Sequence, residues 1–401
     1  MSNEQINTIE DLEKLYYSKA GQQFLNAEDM LSPFFNKDAP VLTTTTGVYN
    51  AVYGSQAWVQ LNMEANTFGV LPKFPWKRSG WRVISARTTT LPFSGRAETA
   101  TLPATVKPTF AEVSTKPKLA AVTFEVGEVQ EYLATTGGDD AFGAMSDMRT
   151  YMAAEHKEDI NAMLNTQAGT LASNNFESMD RVVSSYAEVT NCKENDESSA
   201  FTANDVDIFS LDRDAGASYS DAYVSYHATS GSLRSLTDSL LGTLLQNTLA
   251  NGANPGGQII QTGYDTWNVI NQLYDPQVRY NILGSSKVSP GVNGVKTMEG
   301  SEVGINVATI YGKPVILSKN TVVDTGGVSR VYMLDLSNPE GFDLPRLALK
   351  VAKPTQYFEA GINQGTPFAT NTFSTKGMYR TMAEIVCTFF KVQGKLRDLK
   401  A

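Results

Sequence analysis

The sequence predicts an α+β protein built from more than one compact part, and three stretches carry that prediction. Residues 137–165 have the spacing of one long amphipathic helix; residues 77–130 alternate like strands around a proline-punctuated, basic excursion; and the C-terminal third is a run of short β-like segments. Composition agrees: 401 residues suffice for two or three cores, and 41% apolar against 19% charged residues can fill them.

The helix is the spine of the prediction. Gly137-Gly138 precede it, and Asp139 and Asp140 offer cap oxygens and negative charge to the positive end of the helix dipole. Phe142, Met145, Arg149, Met152, His156, Ile160, Met163 and Leu164 recur at three- and four-residue spacing and so share one face. Asp147, Glu155, Lys157, Glu158 and Asp159 fall on the other. At about 1.5 Å of rise per residue such a helix spans roughly 40 Å.

Ahead of it, residues 1–76 lack a continuous period. A helix is expected from Thr8 to about Leu31 and another near Ser55–Glu64, with Thr43–Thr46 extended. The next stretch holds two strand-like segments, WRVISARTTTLPF and AAVTFEVGEVQEY, which are expected to pair as a long hairpin. Between Lys77 and Lys118 eight bases stand against two acids, a local +6 in a chain of net −9. Such a stretch, with few large apolar residues near its tip, cannot make its own core and is expected to lie on an acidic protein surface. A nucleic-acid contact is the alternative, but only Phe93 and Phe110 could stack on bases.

After the spine, ESMDRVVSSYAEV reads as a short strand burying Val182 and Val183 and leading into a polar turn. Asp205, Asp207, Asp212, Asp214 and Asp221 then crowd together without the register of a calcium loop, so a solvated acidic loop is expected over a cation site. Ser232–Ala250 is a leucine-striped helix ended by Asn251-Gly252; Gln258–Thr262 is a strand; Asp265 caps a helix that Asp275-Pro276 stops. Residues 284–300 form a loop, and GINVATIYG, KPVILSK, RVYMLDL, LALKVAKP and MYRTMAEIVCTFF follow as strands. Buried Cys387 and distant Cys192 cannot make a paired redox or metal motif.

Chemistry is sparse. His156 falls on the apolar stripe, where a packed histidine is expected, and His227 has no nucleophile motif beside it. No nucleophile elbow, phosphate loop or zinc-protease helix occurs. Neither an enzyme nor a cofactor is therefore expected. No run of 18 apolar residues predicts a membrane helix, and the acidic, polar start (MSNEQINTIEDLEKLYYSKAG) is unlike a secretory leader.

The order of parts resembles the major capsid proteins of tailed bacteriophages and archaeal tailed viruses, a fold shared with encapsulins and the herpesvirus capsid floor. The resemblance implies an N-terminal arm (1–76), an extended loop (77–130) and a peripheral domain (131–199, spine helix 137–165). An axial α/β domain (200–345) and closing peripheral strands (346–401, including MYRTMAEIVCTFFKVQGKLRD) would complete it. It further implies hexamers and pentamers of this chain closing an icosahedral or prolate shell around double-stranded DNA, bound without sequence specificity. Scaffolding, portal and decoration proteins would be separate partners, and the shell would be assembled in the host cytoplasm. The loop residues Arg82, Arg87, Arg96, Lys107, Lys116 and Lys118 would touch neighbouring subunits, as would the uncharged tip near Leu102–Thr105; Phe142, Met145, Met152, His156, Ile160 and Met163 would pack the spine. An encapsulin-like compartment and, less favoured, a two-domain α/β enzyme are the alternatives.

Overall fold

The computed structural model describes residues 41–42, 65–87, 98–99, 107–136, 145–165, 174–188, 207–211, 213, 219–229, 231–278, 309–325, 327–339, 344–370 and 372–400. The expected helices before residue 65, the loop tip with Arg96 and Leu102–Thr105, residues 137–144 with Phe142, Cys192, and Asp205, Asp212 and Asp214 lie outside them. Two compact units result. The described part of the first comprises 41–42, 122–136, 145–153, 357–370 and 372–379, and the second takes the remainder of the described chain.

In chain order the elements begin with β1 (Val41–Leu42), α1 (Asn66–Val70), β2 (Lys73–Pro75), β3 (Gly80–Arg87), β4 (Pro108–Ser114) and β5 (Lys118–Gly127). Next come α2 (Glu128–Thr136), α3 (Met145–Asn165), α4 (Met179–Val182), β6 (Tyr223–Ser225), β7 (Arg234–Ser235), α5 (Asp238–Ala250), β8 (Gln258–Thr262) and α6 (Tyr264–Val278). The chain closes with β9 (Thr309–Ile310), β10 (Lys313–Leu317), β11 (Val331–Asp335), β12 (Leu347–Gly361), α7 (Pro367–Thr370), β13 (Ser374–Cys387), β14 (Gly394–Leu396) and β15 (Leu399–Lys400). One sheet runs β1-β5-β13-β12-β2 and another β6-β14-β11-β8-β10-β9; β3-β4 and β15-β7 are separate pairs.

The first unit has a small core of Phe124, Val126, Met145 and Met148, with Met152, Tyr357 and Tyr379 packed against it. Gly377 fits there because a Cβ would sit 2.4 Å from the Phe124 ring. Among the described residues the second unit has two cores. One gathers Ile160 and Leu164 of α3, Met179 and Val182 of α4, and Leu347, Leu349, Ile385 and Cys387 of β12 and β13. The other gathers Leu241 and Leu244 of α5, Ile260, Ile270, Val315, Val331, Met333 and Leu396. The predicted strand at Gln258–Thr262 is present with those bounds, and the KPVILSK and RVYMLDL segments form β10 and β11.

Several expectations need correcting. The partner of β3 is β4, not the AAVTF strand: Trp81 faces Val113, Arg82 faces Glu112 and Ile84 faces Phe110 in antiparallel register. β4 alternates Phe110 and Glu112 against Ala111 and Val113, and Pro108 is tolerated as its first residue, where a missing N–H costs least. AAVTFEV joins the large sheet instead, and EVQEY is helix α2, with Glu128 and Glu131 in its first turn. SMDRVV is a helical turn rather than a strand, because the Ser178 hydroxyl caps it by accepting from the Arg181 amide at 3.3 Å. Val182 and Val183 are nonetheless fully buried. The leucine helix starts at Asp238, not Ser232: Thr237 caps it, and Arg234–Ser235 pair with β15. Asp265 does not cap α6; it lies inside the helix and accepts from the Ser329 amide (2.7 Å) and hydroxyl (2.5 Å), while the helix passes Pro276 to reach Val278. β12 extends well past the predicted LALKVAKP, to Gly361.

Candidate assembly surface

The β3–β4 hairpin is two-faced, as strand alternation requires. Trp81, Val83, Ala111 and Val113 turn inward: Val113 is buried, and Trp81 meets Phe209 edge-on with ring centroids 5.5 Å apart. The Ser114 amide donates to the Phe209 carbonyl at 3.0 Å, fastening the ribbon to the body of its own unit. The other face carries Arg82, Ile84, Phe110 and Glu112. Ile84 is 61% exposed and Phe110 56%, directly opposite each other. Two large apolar side chains thus lie side by side on an exposed ribbon face, which makes that face a candidate contact surface. Arg82 and Glu112 close a cross-strand ion pair at 3.0 Å beside them; both are largely exposed, so the pair orders the ribbon without adding much stability.

The basic residues of this region divide. Lys116 and Lys107 are exposed. Arg87 ends β3, opposite Pro108. Lys118 is turned into the body, 3.0 Å from the buried carboxylate of Glu384.

Along α3, Met145 and Met152 belong to the core of the first unit, and Ile160 and Met163 to a core of the second. His156 is buried, with Nε2 2.8 Å from the Thr381 hydroxyl, and burial holds its pKa below the ordinary value. It is a neutral packed histidine at pH 7. In the acidic segment, Asp207 accepts from the Arg213 amide (2.8 Å) and Asp221 from the Tyr186 amide (3.1 Å), so both fold the backbone around them. Among the described residues no group of His, Cys, Asp and Glu is arranged to hold a metal ion.

The first unit carries a second apolar surface around the β12–β13 turn. Phe368 is 91% exposed and Phe373 85%. The Glu128 amide donates to the Phe373 carbonyl at 3.0 Å, and Val129 and Tyr132 of α2 are exposed as well. Gly361 begins the turn at φ 130, and a Cβ there would lie 2.3 Å from the Ser374 carbonyl oxygen, so only glycine fits. Nothing in the sequence spacing marked these two phenylalanines.

Sequence reasoning also missed the buried ionic network of the second unit. Arg330 reaches Asp180 (2.9 Å) and Asp324 (2.5 Å); Lys395 reaches Asp180 (2.9 Å) and Glu188 (2.6 Å); Arg397 reaches Glu188 (2.7 Å) and Asp398 (3.1 Å). The only trace was the charge alternation in GKLRDLK at the C-terminal end.

No family model and no curated protein matches this chain in sequence. Among solved structures it is similar to a chain of the cyanophage A-1(L) capsid asymmetric unit, with a TM-score of 0.58 and 14% identity over 90% of this chain and 99% of that one. It is also similar to a chain from the capsid of a native GTA particle, with a TM-score of 0.52 and 11% identity over 86% and 93% of the two chains. The fold is the capsid-subunit fold of tailed bacteriophages. At these identities the likeness is one of fold, spanning nearly the whole of each chain.

Proposed function

We propose that this chain is a structural subunit that self-assembles, as pentamers and hexamers, into a closed capsid shell around double-stranded DNA. The observation that carries the proposal is the β3–β4 hairpin: its inner face is seated on its own body and its outer face presents Ile84 and Phe110 to whatever lies beyond the subunit. The near-complete coverage by a capsid chain supports the same reading. A hairpin surface meeting a different surface on the next copy is a heterologous contact, which closes into rings or continues into a larger array. Arg82, Lys107 and Lys116, with Arg87 and Arg96, would steer that contact, and salt would weaken the steering. In this reading 1–76 is an arm, 200–345 packs around capsomer axes, and scaffolding, portal and decoration proteins are separate chains. Assembly would take place in the host cytoplasm, with no membrane and no cofactor involved.

The test is the mass of the expressed chain by light scattering and negative-stain microscopy, at about 0.1 and 1 M salt. Capsomer rings or shells are expected, dissociating more readily at high salt. A 43.6 kDa monomer at every concentration, with hydrogen exchange showing the Ile84–Phe110 face protected within it, would overturn the proposal. Particles filled with a co-purifying enzyme instead of DNA would redirect it to a cargo compartment.

A further inference from the structure

Beside the root of the hairpin, the chain leaving it is paired with a buried acid. The Thr115 amide, one residue past β4, donates to the Ser79 carbonyl at 2.9 Å and closes the ribbon's base. Three residues on, Lys118 opens β5, and its ammonium lies 3.0 Å from Oε2 of Glu384. Glu384 is fully buried on β13, and its other oxygen accepts from the backbone amides of Glu177 (2.8 Å) and Ile385 (3.0 Å). The charged groups around this carboxyl are few. Lys118 comes from β5 and Glu177 from the stretch before α4; the Glu177 carboxylate lies 3.2 Å from Arg181 Nε on α4. Lys350 of β12 is turned away to the Trp76 and Trp81 rings, 5.8 and 5.1 Å from its Nζ. Lys118 is thus the cation that faces Glu384, and its side chain keeps 17% exposure, enough to swing toward water.

We infer that the Lys118–Glu384 pair is a pH-operated anchor: it fixes the strand leaving the hairpin while Glu384 is ionised, and releases it when Glu384 takes up a proton. The direction follows from the site. Burial pushes the Glu384 carboxyl up to about 7, against the pull of Lys118 and the Glu177 amide. Protonation removes the charge that, among the described residues, repays desolvation of Lys118, whose ammonium then moves to solvent. The Thr115–Pro117 link and the ribbon beyond it lose a fixed point. This goes beyond the assembly proposal, because it concerns one subunit and holds whether or not shells form.

Amide hydrogen exchange read by mass spectrometry tests it on the full-length chain kept dilute and unassembled. Peptides covering 108–120 are followed at pH 6 and pH 8, corrected for the intrinsic pH dependence of exchange. Protection is expected to fall by about tenfold at pH 6, while peptides covering β11 stay unchanged. Glu384→Gln should give low protection at both pH values. Lys118→Met, which leaves the buried acid in place, should do the same and guards against a misfolded Gln variant. Unchanged wild-type protection between pH 6 and 8 would overturn the anchor. So would a pH dependence that survives in Lys118→Met.

Discussion

Replacing Asp180 by Asn tests how the second unit is held together. Its Oδ1 accepts from Arg330 Nη1 (2.9 Å), the Tyr332 hydroxyl (2.8 Å) and Lys395 Nζ (2.9 Å), and its Oδ2 from Arg330 again (2.9 Å). Burial alone would push this carboxyl up; the Arg330, Lys395 and Arg397 charges outweigh burial and hold it well below the usual range. Asn keeps the shape but aims an amide N–H₂ at donors. The two cations are not orphaned, since Arg330 keeps Asp324 and Lys395 keeps Glu188. Breaking one member of a buried ion pair costs about 3–5 kcal/mol, and the retained partners place Asp180→Asn toward the lower end, roughly 3 kcal/mol. Against a domain stability of about 5–15 kcal/mol that is a large fraction. The assay is urea unfolding of the dilute chain at pH 7, followed through Trp76, Trp81 and Trp267 of this unit. The sign with pH is fixed as well. A depressed carboxyl contributes stability that is full above its unfolded value, near 3.8, and is lost as pH falls through and below it. The difference between wild type and variant should therefore shrink below about pH 4. A loss under about 1 kcal/mol at pH 7 would refute the reasoning, and the network would then be a spectator of the apolar packing around it.

Other outcomes follow from the same geometry. Ile84→Asp and Phe110→Asp should leave unfolding midpoints within about 0.5 kcal/mol of wild type, since both side chains face outward, yet raise the concentration needed for assembly by about tenfold or more; equal assembly by light scattering would remove the hairpin face from the interface. Gly377→Ala forces a methyl into the Phe124 ring and should cost about 1–3 kcal/mol by denaturant titration of the first unit; a neutral result would show that the ring moves freely. Burial pushes the Cys387 thiol up to about 12, so peptide mapping should find it unlabelled by thiol reagents at pH 8 until urea is added. Glu384 has the opposite sign to Asp180. Against global unfolding its raised carboxyl contributes stability that is full below 4.5 and lost as pH rises through about 7, a swing of about 3 kcal/mol that Glu384→Gln should abolish in parallel titrations; the local hold on Lys118 runs the other way, because only the ionised carboxylate attracts the ammonium.

What the sequence disclosed and what it hid divide along physical lines. The spine helix was legible because its packing is written in a local period: Met145, Arg149, Met152, His156, Ile160 and Met163 recur every three or four residues, and those spacings survive although the helix serves two cores. β8, β10 and β11 were legible because buried strands read as short apolar runs. The errors came where a single polar contact outweighs propensity. Val182-Val183 look like strand, but the Ser178 cap and the demand of the network for Asp180 at that point make the segment helical. Asp265 looks like a cap, but Ser329, far along the chain, claims both its oxygens. The hairpin was predicted with the wrong second strand because β4 is a weak strand, exposed at Thr109, Phe110 and Glu112, and exists only where Trp81 and Val113 can be seated. That weakness carries functional meaning. If the proposed assembly contact forms, a ribbon with one anchored face and one exposed apolar face gains stabilisation from the second molecule, and the segment hardest to assign from one chain is the one that a second copy would complete.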